Sequence, residues 1–324
     1  MADSGKKFPF VKMEFVSSCD NTSQMSLLLP AKAKGKRPLA VVLHTWSADL
    51  FQECSHWYAE HIVKMDFHMA FPNFRGPNWR KDGCGSEKVI ADIASLVADL
   101  KKRLEVDEER IYLIGASGGG HAALLLAGRH PELWTAVSAW CPISDVAAWH
   151  KENYKRGVYD TYSRHIEQAL GGNPNEDELL AGEAWKRSPL AYMENAKGVP
   201  LDINTGIHDG HEKGSVSVLH AIRAYNLLAE EKDRLTEEEM TFIREKEAIP
   251  AHLAGEREDD PAYGALTVLF RRVSGSVRLT IFDGGHQSSE LAGVGFLAKQ
   301  VRGRKADFSL VDCGEAIREN EIMK

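Results

Sequence analysis

Ser117 has the sequence surroundings of a catalytic nucleophile. Residues 115–119 read Gly-Ala-Ser-Gly-Gly and match Gly-x-Ser-x-Gly, directly after the apolar run 111–114 and before a helix that begins near His121. A serine on a sharp strand-to-helix turn needs neighbours without side chains, because the backbone is strained and passes close to itself. The pattern predicts an exposed, reactive hydroxyl; a glycine-rich turn without chemistry is the alternative.

His286 is the predicted general base. A serine hydroxyl needs a base at neutral pH. When the serine lies on a strand-to-helix turn of this kind, the base is expected in the loop after the last strand of the chain. His286 ends the run Gly-Gly-His at 284–286, immediately after the predicted strand 277–282. Of the thirteen histidines, it is the one that stands at this point of the chain.

Asp209 is the predicted acid of the site. It follows the predicted strand 201–205, at the edge of the sheet where the serine and the histidine are expected. A carboxylate there would fix the tautomer of the imidazole and stabilise the imidazolium. Asp145, after the preceding strand, and Asp283, three residues before His286, stay open as alternatives.

Two backbone N–H groups are predicted to stabilise the negative charge that develops on the attacked carbonyl oxygen. One belongs to Gly118, directly after the serine, and the other to Trp46, in the loop after the predicted strand 39–44. A packing role for Trp46 is the alternative. Both roles are compatible, because a backbone donor leaves the indole free to wall the substrate pocket.

Further side chains are candidates for substrate contact. Trp46, Trp79 and Trp140 belong to segments at or near the carboxyl edge of the sheet, where flat aromatic faces suit sugar rings or aromatic acids; ordinary core and lid tryptophans are the alternative. Arg75 can meet a substrate carboxylate or brace its own loop. His208 and His211 can line the pocket, but without a third ligand in register they predict no metal site.

The elements that must position these groups alternate between strands and helices. Apolar residues at 90, 93, 97, 100 and 104 are spaced three and four apart, which predicts one helix stripe. Strands separated by helices imply right-handed crossovers and a mostly parallel sheet, so the predicted fold class is α/β. The predicted strands are 8–17, 23–29, 39–44, 67–71, 111–114, 134–140, 201–205 and 277–282.

We expect a single domain over residues 1–324. Its parts are opening strands at 8–29, a core at about 39–302, and insertions at about 145–199 and 230–276. The insertions are candidates for a lid or an oligomer contact, and solvated surface is the alternative. Within the second insertion, Thr236 and Glu239 have the spacing of a helix capping box.

Composition excludes several function classes. The net charge of −7 and the pI near 6.0 give no footprint for nucleic acid or an anionic membrane. The apolar stretches are far shorter than the roughly 20 residues of a membrane span. The polar N-terminus shows no signal peptide, so we expect a cytoplasmic protein, or a secreted or periplasmic one whose leader was removed. Five cysteines without a CxxC pair predict no disulfide scaffold; whether Cys54 and Cys84 pair stays open.

Together these motifs resemble an α/β-hydrolase, in particular the catalytic domain of prolyl-oligopeptidase-type enzymes and related esterases such as acetyl xylan esterases. The resemblance covers roughly residues 39–302 and implies the α/β-hydrolase fold with Ser117, Asp209 and His286 as its triad. It rests on Pro-Asn-Phe-Arg-Gly at 72–76, Asp92, Arg-Ile-Tyr-Leu-Ile-Gly-Ala-Ser-Gly-Gly at 110–119, Ser-Pro-Leu at 188–190, Gly-Ile-His-Asp at 206–209 and Gly-Gly-His at 284–286.

The chain departs from that family pattern in three places. Only 38 residues precede residue 39, so no β-propeller is expected. The loop after the first core strand reads His-Thr-Trp where many relatives have His-Gly and an aromatic residue, and 210–218 lacks the usual proline. Relatives with a propeller use it to admit small peptides, so the first departure favours an esterase.

We therefore expect a carboxylesterase that acts through an acyl-enzyme, with acetyl or aryl esters of carbohydrates as candidate substrates. The expected partner is a small-molecule or oligosaccharide ester; no metal or organic cofactor is required, and a homo-oligomer is possible. The alternatives are a prolyl-oligopeptidase-like peptidase or aminopeptidase without a propeller, a transacylase, and a non-catalytic binding protein. An acidic or amide-binding pocket would favour the peptidase.

Overall fold

A nine-stranded sheet forms the centre of the molecule. The computed structural model describes residues 7–311, so most of the polar N-terminal segment and Cys313 lie outside the described residues. The strands are β1 (Val11–Val16), β2 (Ser23–Leu29), β3 (Arg37–Leu43), β4 (His68–Pro72), β5 (Val106–Ala116), β6 (Ala136–Trp140), β7 (Leu201–Gly206), β8 (Thr267–Ser274) and β9 (Val277–Asp283). Their order across the sheet is β1-β2-β4-β3-β5-β6-β7-β9-β8.

The inner strands are parallel and the edges are antiparallel. Parallel pairing runs from β4 through β3, β5, β6 and β7 to β9. The hairpin of β1 and β2 joins β4 antiparallel, and β8 joins β9 antiparallel at the other edge. Val41, Val42 and Leu113 in the inner strands are fully buried, as expected of a sheet covered on both faces. The predicted α/β class is confirmed.

Helices cover both faces of this sheet. They are α1 (Cys54–Lys64), α2 (Glu87–Arg103), α3 (Gly118–Arg129), α4 (Val146–Asn153), α5 (Asp160–Leu170), α6 (Glu178–Lys186), α7 (Val218–Leu228), α8 (Glu237–Lys246) and α9 (Glu290–Ala298). Apolar side chains of α2, α3, α7 and α8 form the core on one face, and those of α1 and α9 form the core on the other. Four of the five residues of the predicted stripe, Ile90, Ile93, Val97 and Leu100, are buried on α2, whereas the fifth, Leu104, follows the end of the helix with extended backbone.

The segment 145–199 packs against the carboxyl edge of the sheet. It contains α4, α5 and α6. Trp149 and Ile166 from this segment are buried in one apolar cluster with Trp46, which belongs to the loop after β3. The predicted insertion therefore covers the loop in which one oxyanion donor was expected.

The segment 230–276 is only in part an insertion. The predicted capping box is present at the start of α8, where the Glu239 N–H donates to Thr236 Oγ1 and the Thr236 N–H donates to the Glu239 carboxylate. The end of the segment, however, is β8, an edge strand that the sequence did not reveal. Arg271 and Arg272 interrupt its apolar pattern; Arg271 is nevertheless buried, 2.8 Å from Asp260.

The structure separates the two cysteines whose pairing the sequence left open. Cys54 and Cys84 are free and buried in different apolar clusters, Cys54 with α1 and Cys84 under the segment 145–199. Among residues 7–311, none of the helices combines the length and apolar character needed to cross a bilayer.

Candidate active site

Ser117 lies on a strained turn between β5 and α3. Its φ of 59° and ψ of −121° fall in a region that residues with side chains rarely adopt. The Ser117 N–H donates to the carbonyl of Trp140, and the Ser117 carbonyl accepts the N–H of His121, both at 2.8 Å. A Cβ on Gly115 would lie 2.5 Å from the carbonyl carbon of Gly119, so the turn requires glycine there.

Asp209 holds His286 by a short hydrogen bond. His286 Nδ1 lies 2.6 Å from Asp209 Oδ2. The second carboxylate oxygen, Oδ1, accepts the backbone N–H groups of Gly210 at 2.9 Å and Val216 at 3.0 Å. The Asp209 side chain is fully buried, so these contacts fix its orientation.

The other two acids considered in the sequence have different partners. Asp145 is the N-cap of α4, where its carboxylate accepts the N–H of Ala148 at 2.9 Å. Asp283 lies 3.1 Å from His208 Nε2. Only Asp209 of these three carboxylates contacts His286, because it follows β7, the direct neighbour of β9 in the sheet.

The pKa of His286 is raised well above the usual value for histidine. Burial lowers this pKa, but the charge and hydrogen bond of Asp209, together with contributions from Cys141, more than offset the effect of burial. The protonated form of the imidazole is therefore stabilised. A histidine that acts as a base needs this stabilisation while it holds the proton. The neutral form becomes dominant only above the usual histidine range.

Ser117 and His286 line the same pocket, which has a volume of about 100 Å³. Its other walls come from the loop after β3, from α1, from the end of β6 and from the start of α9. Among these wall residues are Tyr58, Cys141 and Glu290, none of which the sequence singled out. The only available signal was the position of Glu290, four residues after the predicted base.

The backbone of Trp46 approaches Gly118 closely. A Cβ on Gly118 would lie 2.5 Å from the Trp46 nitrogen. The loop is held by Gln52, whose side chain accepts the Thr45 N–H and donates to Thr45 Oγ1, both at 2.9 Å. Within the described part of the chain, the Trp46 N–H has no hydrogen-bond acceptor. The Trp46 nitrogen and Gly118 thus lie side by side, next to Ser117.

Of the three tryptophans that were expected near substrate, Trp46 and Trp140 are buried, and Trp79 is half-buried with its ring 4.6 Å from that of His165. The Trp46 indole is 1% exposed and packs edge-on against Trp149, with ring centroids 4.7 Å apart. Trp140 is fully buried and packs against Tyr263 at 5.4 Å. Neither indole lines the pocket. The reason is that Trp149 and Tyr263, from the two segments interpreted as insertions, cover them.

Arg75 and His208 also have partners other than a substrate. The Arg75 guanidinium lies 2.7 Å from Asp92 and 2.9 Å from Asp20, so it braces the loop after β4. His208 lies 2.6 Å from Glu247 and lines an open groove that is separate from the serine pocket. The expectation that these two side chains contact substrate at the serine is therefore not met by their positions.

Cys141 brings a third potential metal ligand to the histidine. Its Sγ and ligand atoms of Asp209 and His286 all lie within 4.8 Å of one another. Two ligands of one zinc ion stand about 3.3 Å apart when each bond is about 2.0 Å. The 2.6 Å between Asp209 and His286 is too short for that and fits a hydrogen bond. Burial and the nearby Asp209 charge raise the pKa of Cys141, which keeps the thiol protonated.

The sheet, the flanking helices and a serine at a strand-to-helix turn define an α/β-hydrolase fold. Residues 53–243, more than half of the chain, match the model of the prolyl oligopeptidase family. The chain therefore belongs to the prolyl oligopeptidase family.

This chain is shorter than three proteins to which it is similar. The acylamino-acid-releasing enzyme of Mus musculus is 23% identical over 234 residues, which is 66% of this chain and 30% of the mouse protein. The uncomplexed acylaminoacyl peptidase of Pyrococcus horikoshii has a TM-score of 0.60 at 16% identity, covering 98% of this chain and 44% of that one. A puromycin-hydrolyzing peptidase of Mycobacterium tuberculosis has a TM-score of 0.59 at 12% identity, covering 91% and 40%. The chain thus spans less than half the length of these relatives.

Proposed function

We propose that this protein hydrolyses carboxylic esters and related amides through an acyl-enzyme on Ser117. Ser117 Oγ attacks the carbonyl carbon while His286 takes its proton, and Asp209 orients the imidazole and stabilises its charge. The oxyanion accepts hydrogen bonds from the N–H groups of Gly118 and Trp46. His286 gives the proton to the leaving group, and water then attacks the acyl-enzyme with the same histidine as base, which releases the acid.

The observation that carries this proposal is the 2.6 Å contact between His286 and Asp209 beside a pocket that Ser117 also lines. Because Asp209 occupies Nδ1, the other ring nitrogen, Nε2, is left to exchange a proton with the serine. The positive φ of Ser117 supports the same assignment. A costly backbone conformation persists only where the surrounding structure enforces it, and such residues cluster at active sites.

A small carboxylic ester is the substrate class that the pocket supports best. Its volume of about 100 Å³ is smaller than an apolar cavity of about 150 Å³ that takes benzene. It therefore suits a short substituent rather than a chain. The sequence-based reason for a carbohydrate ester was the set Trp46, Trp79 and Trp140. Because none of these indoles lines the serine pocket, we propose no sugar specificity.

An amide substrate is the second candidate. The mouse relative is named for releasing acylamino acids, and the two structural neighbours are named as peptidases. Ester and amide hydrolysis use the same nucleophile, base and oxyanion donors, so one site can serve both. The feature of this chain that favours the amide is Glu290, an acidic side chain in the serine pocket.

Labelling with a fluorophosphonate, followed by peptide mass mapping, tests the proposal. We expect one label per chain, on Ser117, and none on Ser117→Ala. The matched control Ser18→Ala changes an exposed serine in the turn between β1 and β2 and should label fully. In steady state, Ser117→Ala should lose about 10⁴-fold or more in kcat on 4-nitrophenyl acetate. A label on another residue, or retained activity, would contradict the assignment.

A further inference from the structure

The pocket that Ser117 lines has a polar wall from α1 and the start of α9. Tyr58 of α1 is 2% exposed, and within the described residues its hydroxyl makes no hydrogen bond of normal geometry, with Ser288 as a polar neighbour. Glu290, the first residue of α9, is partly exposed and accepts a hydrogen bond of 2.9 Å from the Ser288 hydroxyl. The mechanism derived above uses none of these three side chains.

Glu290 differs from the buried aspartates of this protein because no cationic side chain of residues 7–311 pairs with it. Asp92, Asp202 and Asp260 are at most 2% exposed, and each lies 2.7–2.8 Å from an arginine. No lysine, arginine or histidine nitrogen of residues 7–311 lies within 4.0 Å of the Glu290 carboxylate. Burial raises the pKa of Glu290, because a buried carboxylate loses part of its hydration, and the Ser288 hydrogen bond offsets this only in part. A cationic ligand would offset that loss of hydration.

The neighbouring titratable groups leave Glu290 as the main charge of this wall. Burial, and to a smaller extent the charge of Glu290, raise the pKa of Cys54 to about 12 and that of Tyr58 well above its usual value. Both groups are therefore neutral at physiological pH. His286 on another wall is hydrogen-bonded to Asp209. The wall thus favours a positively charged group over a neutral or negative one.

We propose that this wall recognises the free amino group of an unblocked aminoacyl ester or amide, with Glu290 as the counter-ion of the ammonium. The inference rests on the proposed hydrolase function and adds a substrate class to it. An ammonium has three donors, and the oxygens of Glu290, Tyr58 and Ser288 can accept them. In a pocket of about 100 Å³, the amine and the carbonyl that Ser117 attacks are only a few bonds apart, as in an α-amino acid.

Three methyl esters test the proposal: that of alanine, that of propionic acid, which nearly matches it in size but lacks the amine, and that of N-acetylalanine, in which the amine is blocked. Near pH 7, below the usual α-amino pKa of about 8, the alanine amine is mostly protonated. We expect kcat/KM for the alanine ester to exceed that for the other two by about 10- to 100-fold, the range for a hydrogen bond to a charged group. Glu290→Gln should bring the ratio of alanine to propionate close to one. The exposed control Glu176→Gln should keep the wild-type ratio.

A second variant and an inhibitor test the amine site without relying on Glu290→Gln. Tyr58→Phe should lower the same ratio by a smaller factor, and propylamine should inhibit the wild-type enzyme competitively, so the test does not depend on the folding of one variant. A wild-type ratio near one, or a preference for N-acetylalanine, would overturn the inference while the hydrolase function stands. Absence of hydrolysis of all three esters, together with no fluorophosphonate label, would overturn the function itself.

Discussion

The Trp46 nitrogen lies so close to Gly118 that a Cβ atom on the glycine would stand 2.5 Å from it and 2.5 Å from the Trp46 Cα. Real Cβ atoms do not come that close to backbone, and a shift of the backbone costs more than a shift of the end of a flexible side chain. The contact therefore couples the loop after β3 to the first turn of α3. It keeps the two proposed oxyanion donors at a fixed separation.

Gly118→Ala should disable the reaction without unfolding the protein. The added methyl group forces the Trp46 backbone away, so one proposed donor leaves its position, and loss of one such donor costs about 10²- to 10³-fold in kcat. The control is Gly182→Ala, an exposed position in α6 with open space around it, where alanine should stabilise by about 0.5–1 kcal/mol. Ester hydrolysis and circular dichroism measure both effects. An active, folded Gly118→Ala enzyme would contradict this role for the contact.

The pH dependence of kcat/KM should report the raised pKa of His286. Only the neutral imidazole can accept the serine proton, so activity should rise with pH, and the midpoint of that rise should lie above 6.5. Asp209→Asn removes the charge that raises this pKa, so the midpoint should fall and the rate should drop by about 10⁴-fold. Asp283→Asn is the matched control, because Asp283 pairs with His208. A midpoint unchanged in Asp209→Asn would be evidence against the pairing.

Arg75→Met should destabilise the fold. The change leaves the fully buried Asp92 without its counter-ion, which typically costs about 3–5 kcal/mol. Arg164→Met, in an exposed pair with Asp160, should change the free energy of unfolding by less than about 1 kcal/mol. Urea unfolding measures both. Equal, small losses would mean that Arg75 does not brace the loop, and a raised KM on a small ester by the folded variant would return it to the substrate site.

Alkylation should separate the cysteines by exposure. Iodoacetamide should label Cys19 first in the folded protein, because it is exposed, whereas Cys54 and Cys84 are buried and burial raises their pKa values to about 12 and about 11. After denaturation without reductant, Cys54 and Cys84 should both alkylate. If both remain blocked until a reductant is added, the two residues are paired in solution.

The contact between Asp209 and His286, and the pocket that His286 shares with Ser117, could be predicted from the sheet topology. In a parallel sheet the carboxyl ends of all strands meet at one edge, so residues directly after β5, β7 and β9 must lie close together. Chain order then places Ser117, Asp209 and His286 there. The contact between Asp209 and His286 agrees with that prediction.

The walls of the pocket could not be predicted in the same way. Whether Tyr58 or Glu290 faces the serine depends on how α1 and α9 are rotated against the sheet, and that rotation is set by packing between residues far apart in the chain. Trp140 was expected to contact substrate and is buried instead. Its position at the end of β6 suggested a substrate contact, but Tyr263, more than a hundred residues later, covers it. The strand β8 was missed because two arginines interrupt its apolar pattern.

Rapid quenching of the reaction with 4-nitrophenyl acetate, followed by peptide mapping, shows directly whether Ser117 forms the acyl-enzyme. Ser117 and Cys141 both line the pocket beside His286, so the acetyl group has two candidate acceptors. We expect a burst of one 4-nitrophenolate per chain and an acetyl group on Ser117. An acetyl thioester on Cys141, or turnover without any acetylated residue, would contradict it.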